Sequence, residues 1–224
     1  MTGKEAARLI DVSAVQSASS LYEIQQLVKY AEQYRFINVH VLPNRVKQLS
    51  EMLKPIEGVY VGAPVGFPGG GHKTSVKMQE AKDLLEDGVE EMDIVMNVGR
   101  FKSGEYGYVL DELKQIIGFV DKRAKTKVII ELNTLSDEEA LKACELVIQS
   151  GADFVKTGTG WVKGDANVAR IARLMEVCRG RIHVKAAGGI RTAEEFMALY
   201  DIGVERMGIN AVSAIEIVQA LDRK

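Results

Sequence analysis

Short apolar runs alternate with longer amphipathic stretches along the whole chain. Each run is rich in valine or isoleucine and ends near a glycine, proline, asparagine or threonine, which is typical of a buried strand that leads into a loop. Eight such runs predict strands: ARLIDVS, FINVHVLP, GVYVGAPVGFP, EEMDIVMNV, TKVIIEL, DFVKTGTG, RIHVKAAGG and ERMGIN.

The stretches between these runs carry helical periodicity and helix-end signals. LYEIQQLVKYAEQY places its apolar residues on one face. SVKMQEAKDLLEDG is expected to begin at a cap, Ser75, and to stop at Gly88. SDEEALKACELVIQSG opens with a capping box formed by Ser136 and Glu139, and TAEEFMALYDIG opens with a second box. These stretches therefore predict helices.

The order of helix, glycine, short turn and strand recurs in EDGVEEMD, QSGADFVK and DIGVERMG. Such recurrence indicates repeated βα units, and eight units leave about 28 residues each, the size of a minimal parallel unit. We predict an α/β fold, a single (β/α)8 TIM barrel domain over residues 1–224, with an open doubly wound sheet as the alternative. A barrel holds its active site at the carboxyl ends of its strands.

Charge and composition narrow the classes of function. The formal net charge is −2 with no basic stripe, so nucleic-acid binding is not expected. No run of about 18 apolar residues predicts a membrane span. The N-terminal segment lacks the apolar region of a signal peptide, and we expect a cytoplasmic protein.

Cysteine and histidine usage argues against a metal site. Cys144 and Cys178 lie in predicted helices without C-x-x-C spacing, and we expect two small buried side chains in a reducing compartment. The three histidines, His40, His72 and His183, have no ligand spacing to another histidine or cysteine, so no zinc site is predicted.

Two lysines stand where apolar runs end. Lys156 closes DFVK and Lys185 closes HVK. Neighbouring strands lie about 4.8 Å apart, so the two amines can approach each other, and two close cations lower the pKa of one of them. A neutral lysine amine attacks carbonyls and forms a Schiff base. The alternative is that each lysine extends to solvent or pairs with an acid such as Glu131.

Other polar residues are candidates beside these lysines. In the loop after Lys156, Gly160 leaves room for a substrate and Thr159 offers a hydroxyl. Asp93 is the only acid inside its apolar run and can hold a lysine or pass protons through a water. A purely structural ion pair with a lysine is the alternative for Asp93. Asp11 and Glu131 are weaker candidates of the same kind.

Two loops have the composition of an anion site. Gly188 and Gly189 form a turn after the seventh strand, followed by Arg191 and a capped helix start, and Gly208 lies at the end of the eighth strand. Backbone N–H groups at such turns bind phosphate, and barrels often hold phosphate at these two loops. An ordinary turn is the alternative.

The segment PVGFPGGGHKTSVK contains three consecutive glycines and predicts either a mobile lid over residues 68–74 or a surface loop. His72 and Lys73 are expected to face solvent. Lys77 and Glu80 are expected to support the fold.

The chain resembles the deoxyribose-phosphate aldolase family of class I aldolases from about residue 8 to residue 218. The resemblance rests on the order and spacing of VGFPGGGHKTSVKMQEA, GVEEMDIVMNVG, KVIIEL, SGADFVKTGTGW, VKAAGGIRTAEEF and RMGINA. It implies a barrel that performs a retro-aldol reaction on a small-molecule sugar phosphate through a Schiff base. It implies no metal or organic cofactor. Relatives also imply a homo-oligomer, either a dimer or a tetramer.

The resemblance implies a role for each matching residue. Lys156 stands at the lysine of the K-T-x-T-G motif, which forms the imine, and Lys185 at the lysine that tunes this amine. Asp93 stands at the aspartate that relays protons, and Thr159 at a threonine of the same water network. The residues that match the phosphate-binding loops are Gly188, Gly189, Ile190, Arg191 and Gly208.

The substrate shell departs from the family pattern. Gly158 replaces the usual serine of K-T-S-T-G, His40 replaces a frequent cysteine, and Leu42 replaces an asparagine. Asn210 and Ala211 stand where relatives carry paired serines that hold phosphate, and Trp161 adds bulk beside the lysine loop. The start of the family pattern is Asp11-Val12-Ser13 here.

From these residues we hypothesise that the chain cleaves 2-deoxy-D-ribose 5-phosphate to acetaldehyde and D-glyceraldehyde 3-phosphate. One alternative is a related aldolase acting on a different sugar phosphate or on an unphosphorylated aldehyde. A second alternative is a non-catalytic barrel that only binds sugar phosphates, which would need no reactive amine.

Overall fold

Eight parallel strands close into a barrel in which each strand pairs with the next one in sequence and the eighth pairs with the first. The computed structural model describes residues 1–164 and 166–223. The strands are β1 Ile10–Ala14, β2 Asn38–Val41, β3 Tyr60–Val65, β4 Glu91–Val95, β5 Lys125–Ile129, β6 Phe154–Lys156, β7 His183–Ala187 and β8 Arg206–Ile209. The predicted (β/α)8 barrel is confirmed, and the open doubly wound sheet is wrong.

Helices connect the strands and cover the outside of the barrel. They are α1 Gly3–Ala7, α2 Leu21–Tyr34, α3 Val46–Leu53, α4 Thr74–Glu86, α5 Val98–Lys102, α6 Tyr106–Val120, α7 Asp137–Ser150, α8 Val168–Cys178, α9 Ala193–Asp201 and α10 Ala211–Asp222. None of the described helices combines the length and the apolar content that a membrane crossing requires.

Two predicted helix starts are confirmed, one is wrong, and one predicted strand begins too early. The capping boxes of α7 and α9 form as predicted, at Ser136 and at Thr192. Ser75 is not a cap, because α4 begins one residue earlier, at Thr74. The first predicted strand began too early. Its residue Ala7 ends α1, which starts with a capping box of its own between Thr2 and Glu5.

Successive side chains of each strand point to opposite faces, so the barrel has one core between the strands and the helices and a second core inside the strands. Outward-facing residues such as Val12, Val39 and Val184 are fully buried among the helices and build the hydrophobic core. Inward-facing residues are largely polar. Cys144 and Cys178 belong to the outer core between α7 and α8 and carry free thiols, as predicted from their positions. The barrel interior is therefore where buried charge collects.

The lower barrel interior holds an alternating network of charges. Arg206 donates to Asp11 at 2.7 Å and to both carboxylate oxygens of Glu91 at 3.1 and 3.2 Å. Lys127 donates to Glu91 and lies 3.5 Å from Asp93. Buried charges are stable only when paired in this way. The network fixes the carboxylates on which the lysines above it depend.

A second buried ion pair ties α4 to α6. The amine of Lys77 donates to Glu112 at 2.7 Å and to the carbonyl of Val95 at the end of β4, at 2.8 Å. Both charged side chains are completely buried. Glu80 accepts from the N–H of Gly66 at 2.6 Å, and His72 and Lys73 are exposed. Lys77 and Glu80 thus support the fold, as expected from the sequence.

Replacing Lys77 by methionine should lower the free energy of unfolding by about 3–5 kcal/mol, because Glu112 would remain buried without its cation. Urea denaturation of wild type and variant measures this loss. The double variant Lys77→Met/Glu112→Leu is the matched control and should recover most of the stability. A single variant as stable as the wild type would contradict the proposed dependence on pairing.

Candidate active site

One cavity opens at the carboxyl ends of the strands and collects the residues that the sequence singled out. Twelve of the candidates line it, and Glu131 does not: Asp11, Asp93, Lys156, Thr159, Gly160, Lys185, Gly188, Gly189, Ile190, Arg191, Gly208 and Asn210. They come from strands and loops far apart in sequence. Barrel closure is what brings them together.

A single carboxylate oxygen joins the two lysines at the centre of this cavity. Lys156 and Lys185 are register partners on adjacent strands β6 and β7. Their amines donate to the same atom, Oδ2 of Asp93, at 2.6 and 2.9 Å. The two amines are therefore within two hydrogen-bond lengths of each other. The alternative from the sequence, that each lysine pairs with an acid, therefore describes the contacts, but the acids are Asp93 and Asp11 and not Glu131.

The two lysines differ in access to the cavity. Lys156 is 8% exposed and Lys185 is 1% exposed. The Lys185 amine also contacts Asp11 Oδ2 at 2.5 Å, so it has a carboxylate on each side. Lys156 has one carboxylate partner and lies nearer the opening. The amine of Lys156 is therefore the more accessible of the two from the cavity.

Burial and neighbouring charges shift the pKa values of this centre. Burial lowers the pKa of Lys185 to about 8. Asp11 and Asp93 oppose this shift, while Lys127 and Lys156 add to it. Burial raises the pKa of Asp93, but His40 and the three lysines outweigh it and hold that pKa well below its ordinary value. The centre therefore combines an ionised carboxylate with a lysine that loses its proton close to neutral pH.

Glu131 fixes the loop that follows Lys156. Its two carboxylate oxygens accept from the backbone N–H and the hydroxyl of Thr159, at 3.1 and 2.6 Å. Glu131 adopts a left-handed backbone conformation with φ of 53°, which is uncommon for a residue other than glycine. The hydroxyl of Thr159 also accepts from the N–H of Trp161 at 3.0 Å. Thr159 thus stands at the cavity wall in a fixed orientation.

The two expected anion loops differ in the amides that they offer. Gly188 and Gly189 have φ of 94° and 80°. Among the described residues, no backbone acceptor binds the N–H groups of Gly188, Gly189 or Ile190. The N–H of Arg191 instead donates to the Glu195 carboxylate at 2.7 Å. The start of α9 is thus closed by its own side chain, and the glycine turn carries the amides that face the cavity.

The start of α10 supplies the second loop. Asn210 caps this helix by accepting from the N–H of Ser213 at 3.0 Å. Gly208 faces the barrel interior, where an added Cβ would lie 3.4 Å from the Lys185 side chain. The partial positive charge of a helix N-terminus favours anions at this position.

Several lining residues were not put forward from the sequence. They are Ser13, Val15, Gln16, His40, Pro64, Phe67, Ala187 and Ile209. His40 was noted only as a departure from the family. In the run NVHV, Asn38 and His40 are two residues apart and therefore lie on the same face of the strand. Two polar residues on one face of a buried strand are a signal that could have placed His40 inside the barrel.

Aromatic side chains form part of the cavity rim. Phe67 and Trp161 meet edge to face with ring centroids 5.7 Å apart. The indole N–H of Trp161 donates to the carbonyl of Val15 at 3.2 Å. This bond links the loop after β6 to the loop after β1 and holds the aromatic pair in place.

Comparison with known proteins places this geometry in a family. The family model described as DeoC/LacD family aldolase matches residues 11–210. A deoxyribose-phosphate aldolase of Sinorhizobium medicae is 41% identical over 96% of this chain and 87% of its own length. That of Thermococcus gammatolerans is 41% identical over 98% of this chain and 97% of its own. A solved tetrameric deoxyribose phosphate aldolase from Aeropyrum pernix is 26% identical with a TM-score of 0.89, over 98% and 92% of the two chains.

Replacing Asp93 by asparagine should lower the pKa of Lys185 further below about 8, because the substitution removes a carboxylate that stabilises the ammonium form. We expect a fall of about one to three pH units. Titration of ¹³C-labelled lysine side chains by NMR, with Lys185 assigned through a Lys185→Arg variant, measures it. Asp83→Asn, on the outer face of α4, is the control. A Lys185 midpoint that does not move would refute this electrostatic account.

Proposed function

Because the chain belongs to the DeoC/LacD aldolase family, we propose that it cleaves 2-deoxy-D-ribose 5-phosphate to acetaldehyde and D-glyceraldehyde 3-phosphate. The observation that carries the proposal is the amine of Lys156, 2.6 Å from the buried carboxylate of Asp93 at the wall of the cavity. A buried amine beside a carboxylate and a second lysine has the components that Schiff-base chemistry needs. The chain is then a carbon–carbon lyase of the class I type.

In the proposed reaction, Lys156 attacks the C1 carbonyl of the open-chain sugar and forms an imine with loss of water. Protonation of the imine nitrogen makes it an electron sink. The bond between C2 and C3 breaks, its electrons move towards this nitrogen, and the C3 hydroxyl loses its proton as it becomes the new aldehyde. The enamine left on Lys156 takes a proton at C2, and hydrolysis releases acetaldehyde.

Asp93 and Lys185 serve this sequence as proton-handling groups. Asp93 touches both amines, so a proton can pass between them by way of its carboxylate, directly or through a water. Lys185 has a pKa of about 8 and exists in both protonation states near neutral pH. Thr159, held by Glu131, orients the substrate or a water beside the imine. The role of Asp93 is supported by its contact with the Lys156 amine, and those of Lys185 and Thr159 by their place in the lining of the same cavity.

The phosphate is proposed to bind the amides of Gly188, Gly189 and Ile190 and the start of α10. These elements lie on the same wall as Lys185 and line the same cavity as Lys156. Asp11 shares the amine of Lys185 with Asp93 and thereby supports the centre rather than the phosphate. Gly160, with φ of 78°, gives the lysine loop its turn beside the substrate.

A different sugar phosphate or an unphosphorylated aldehyde is the second candidate substrate. Gly158, Asn210 and Ala211 alter the shell around the imine and the phosphate relative to the family pattern. A panel of sugar phosphates and free sugars decides between substrates by kcat/KM. We also propose a homo-oligomer, since a structural relative from Aeropyrum pernix is described as tetrameric. A cytoplasmic location stays a proposal from the sequence.

Replacing Lys156 by leucine should reduce turnover by at least about a thousandfold, because the other amine of the centre, Lys185, is only 1% exposed and lies between two carboxylates, so it does not take over imine formation. Incubation with acetaldehyde, reduction with borohydride and peptide mass mapping should show a two-carbon adduct on Lys156 in the wild type and none in the variant. Lys163→Leu, an exposed lysine on the same loop, is the control. Near-normal turnover of the folded Lys156→Leu variant would reject the assignment. A wild type that shows neither turnover nor an adduct would favour the non-catalytic barrel.

Replacing Asn210 by aspartate should weaken binding of the phosphate selectively. Aspartate caps a helix as well as asparagine does, so α10 is retained, but it adds a negative charge at the proposed phosphate site. We expect kcat/KM for 2-deoxyribose 5-phosphate to fall by about tenfold or more, mainly through KM. Unphosphorylated 2-deoxyribose is the internal control and should react unchanged. Equal losses on both sugars would place the phosphate elsewhere.

A further inference from the structure

His40 is a buried imidazole in the cavity wall that the proposed mechanism leaves without a role. It lies on β2 and is 4% exposed, and it lines the same cavity as Lys156. Its Nε2 atom lies 3.2 Å from Oδ2 of Asp93, the oxygen that both amines contact. The ring has room because its neighbour on β3 is Gly62, where an added Cβ would lie 2.1 Å from Nδ1.

The hydrogen bonds below the ring fix its protonation state. The side-chain N–H₂ of Asn38 donates to Glu91 at 3.0 Å, so the amide oxygen of Asn38 must point the other way. That oxygen contacts Nδ1 of His40 at 2.5 Å. An amide oxygen only accepts, so Nδ1 carries the proton. In the neutral ring, Nε2 therefore presents a lone pair.

This lone pair has no donor among the described residues. Nε2 of His40 is one of two buried side-chain polar atoms there that make no hydrogen bond, and the other is Oδ1 of Asp93. A neutral Nε2 cannot donate to Asp93, and Asp93 cannot donate to it while ionised. A buried acceptor of this kind is costly unless a ligand supplies a donor. The atom is thus prepared for a group that brings its own hydrogen.

The distance from Lys156 identifies which group of the substrate can reach it. The Lys156 amine and Nε2 of His40 contact the same oxygen, Oδ2 of Asp93, at 2.6 and 3.2 Å. The distance between Nζ of Lys156 and Nε2 of His40 is therefore at most the sum of these two distances. In the imine, four covalent bonds of about 1.5 Å or less separate Nζ from the C3 hydroxyl oxygen. That hydroxyl, which must lose its proton during cleavage, is within hydrogen-bond reach of Nε2.

We propose that Nε2 of His40 accepts the hydrogen bond of the C3 hydroxyl and takes its proton when the C2–C3 bond breaks. The inference rests on the proposed function, which supplies the imine. The O–H electrons become the second bond of the new carbonyl, the C2–C3 electrons pass to the protonated imine to give the enamine, and the proton moves to Nε2. The imidazolium then returns this proton to water, and the proton that C2 of the enamine takes does not come from His40.

The charges around His40 suit this role. Burial lowers the pKa of His40 to about 4. The charges of Lys185 and Lys127 also lower this pKa, whereas the Asp93 carboxylate raises it. The ring is therefore neutral and able to accept at neutral pH. Once protonated, Nε2 faces the Asp93 carboxylate at 3.2 Å, which stabilises the transient cation.

Two reactions of the same enzyme separate this role from a structural one. Cleavage of 2-deoxyribose 5-phosphate needs the C3 hydroxyl. Exchange of the acetaldehyde methyl hydrogens for deuterium in D₂O, followed by NMR, passes through the imine and enamine on Lys156 but involves no hydroxyl. His40→Leu should lower kcat for cleavage about a hundredfold or more, the usual contribution of a general base, and leave exchange within about threefold of wild type. The substitution thus uncouples the two rates.

His40→Gln is the conservative variant, since its side-chain oxygen can accept the hydroxyl bond without taking the proton. It should cleave about tenfold faster than His40→Leu and also keep exchange. His183→Leu, an exposed histidine paired with Glu205 outside the cavity, is the matched control and should leave both rates unchanged.

Parallel losses of cleavage and exchange would overturn the proposal, because they would show that His40 only positions Asp93 and Lys156. Unchanged cleavage in His40→Leu would overturn it as well. If His40→Leu is unfolded by circular dichroism, His40→Gln decides alone. Slowed cleavage with wild-type exchange supports the role, and any other result rejects it.

A wild type that exchanges acetaldehyde hydrogens but does not cleave the sugar phosphate rejects the proposed substrate, and one that does neither rejects the chemistry altogether.

Discussion

The carboxylate of Asp93 is the charge on which the rest of the centre depends. It is completely buried and contacts Lys156, Lys185, Lys127 and His40. Below the rim, the described barrel interior holds four cationic side chains and three carboxylates, Asp11, Glu91 and Asp93. Because isolated buried charge is costly, one cation in excess favours the loss of a proton from a lysine. Charge imbalance in a closed space thus prepares an amine for chemistry.

The fold was predictable because its signal is repeated. Eight apolar runs, each followed by an amphipathic stretch or a turn signal, leave few arrangements besides a closed parallel barrel or an open sheet. Barrel closure then follows from strand pairing that the sequence does not encode locally. The lysine pair was predictable for the same reason. Lys156 ends β6, whereas Lys185 lies inside β7 and not at its end as predicted. In-register pairing of β6 with β7 is what makes them neighbours.

Hydrogen bonds for which several partners compete could not be predicted from the sequence. Glu131 was a candidate partner for the lysines, but its carboxylate accepts from Thr159 in the loop after β6, and its backbone is left-handed. The starts of α9 and α10 both resembled anion sites. Glu195 occupies the N–H groups before α9, however, so the glycine turn carries the free amides. Which acceptor wins is decided by three-dimensional proximity, and spacing along the chain does not report it.

His40 shows how a change in the substrate shell is tied to the residues around it. An imidazole fits on β2 only because Gly62 on β3 has no side chain, and its tautomer is fixed only because Asn38 is held by Glu91. Glu91 in turn belongs to the charge network with Arg206 and Lys127. A departure from the family pattern at one position is therefore embedded in the same electrostatic framework that holds Asp93. The framework fixes Asp93 and the two lysines, and His40 is added to it at the cavity wall without displacing the lysines.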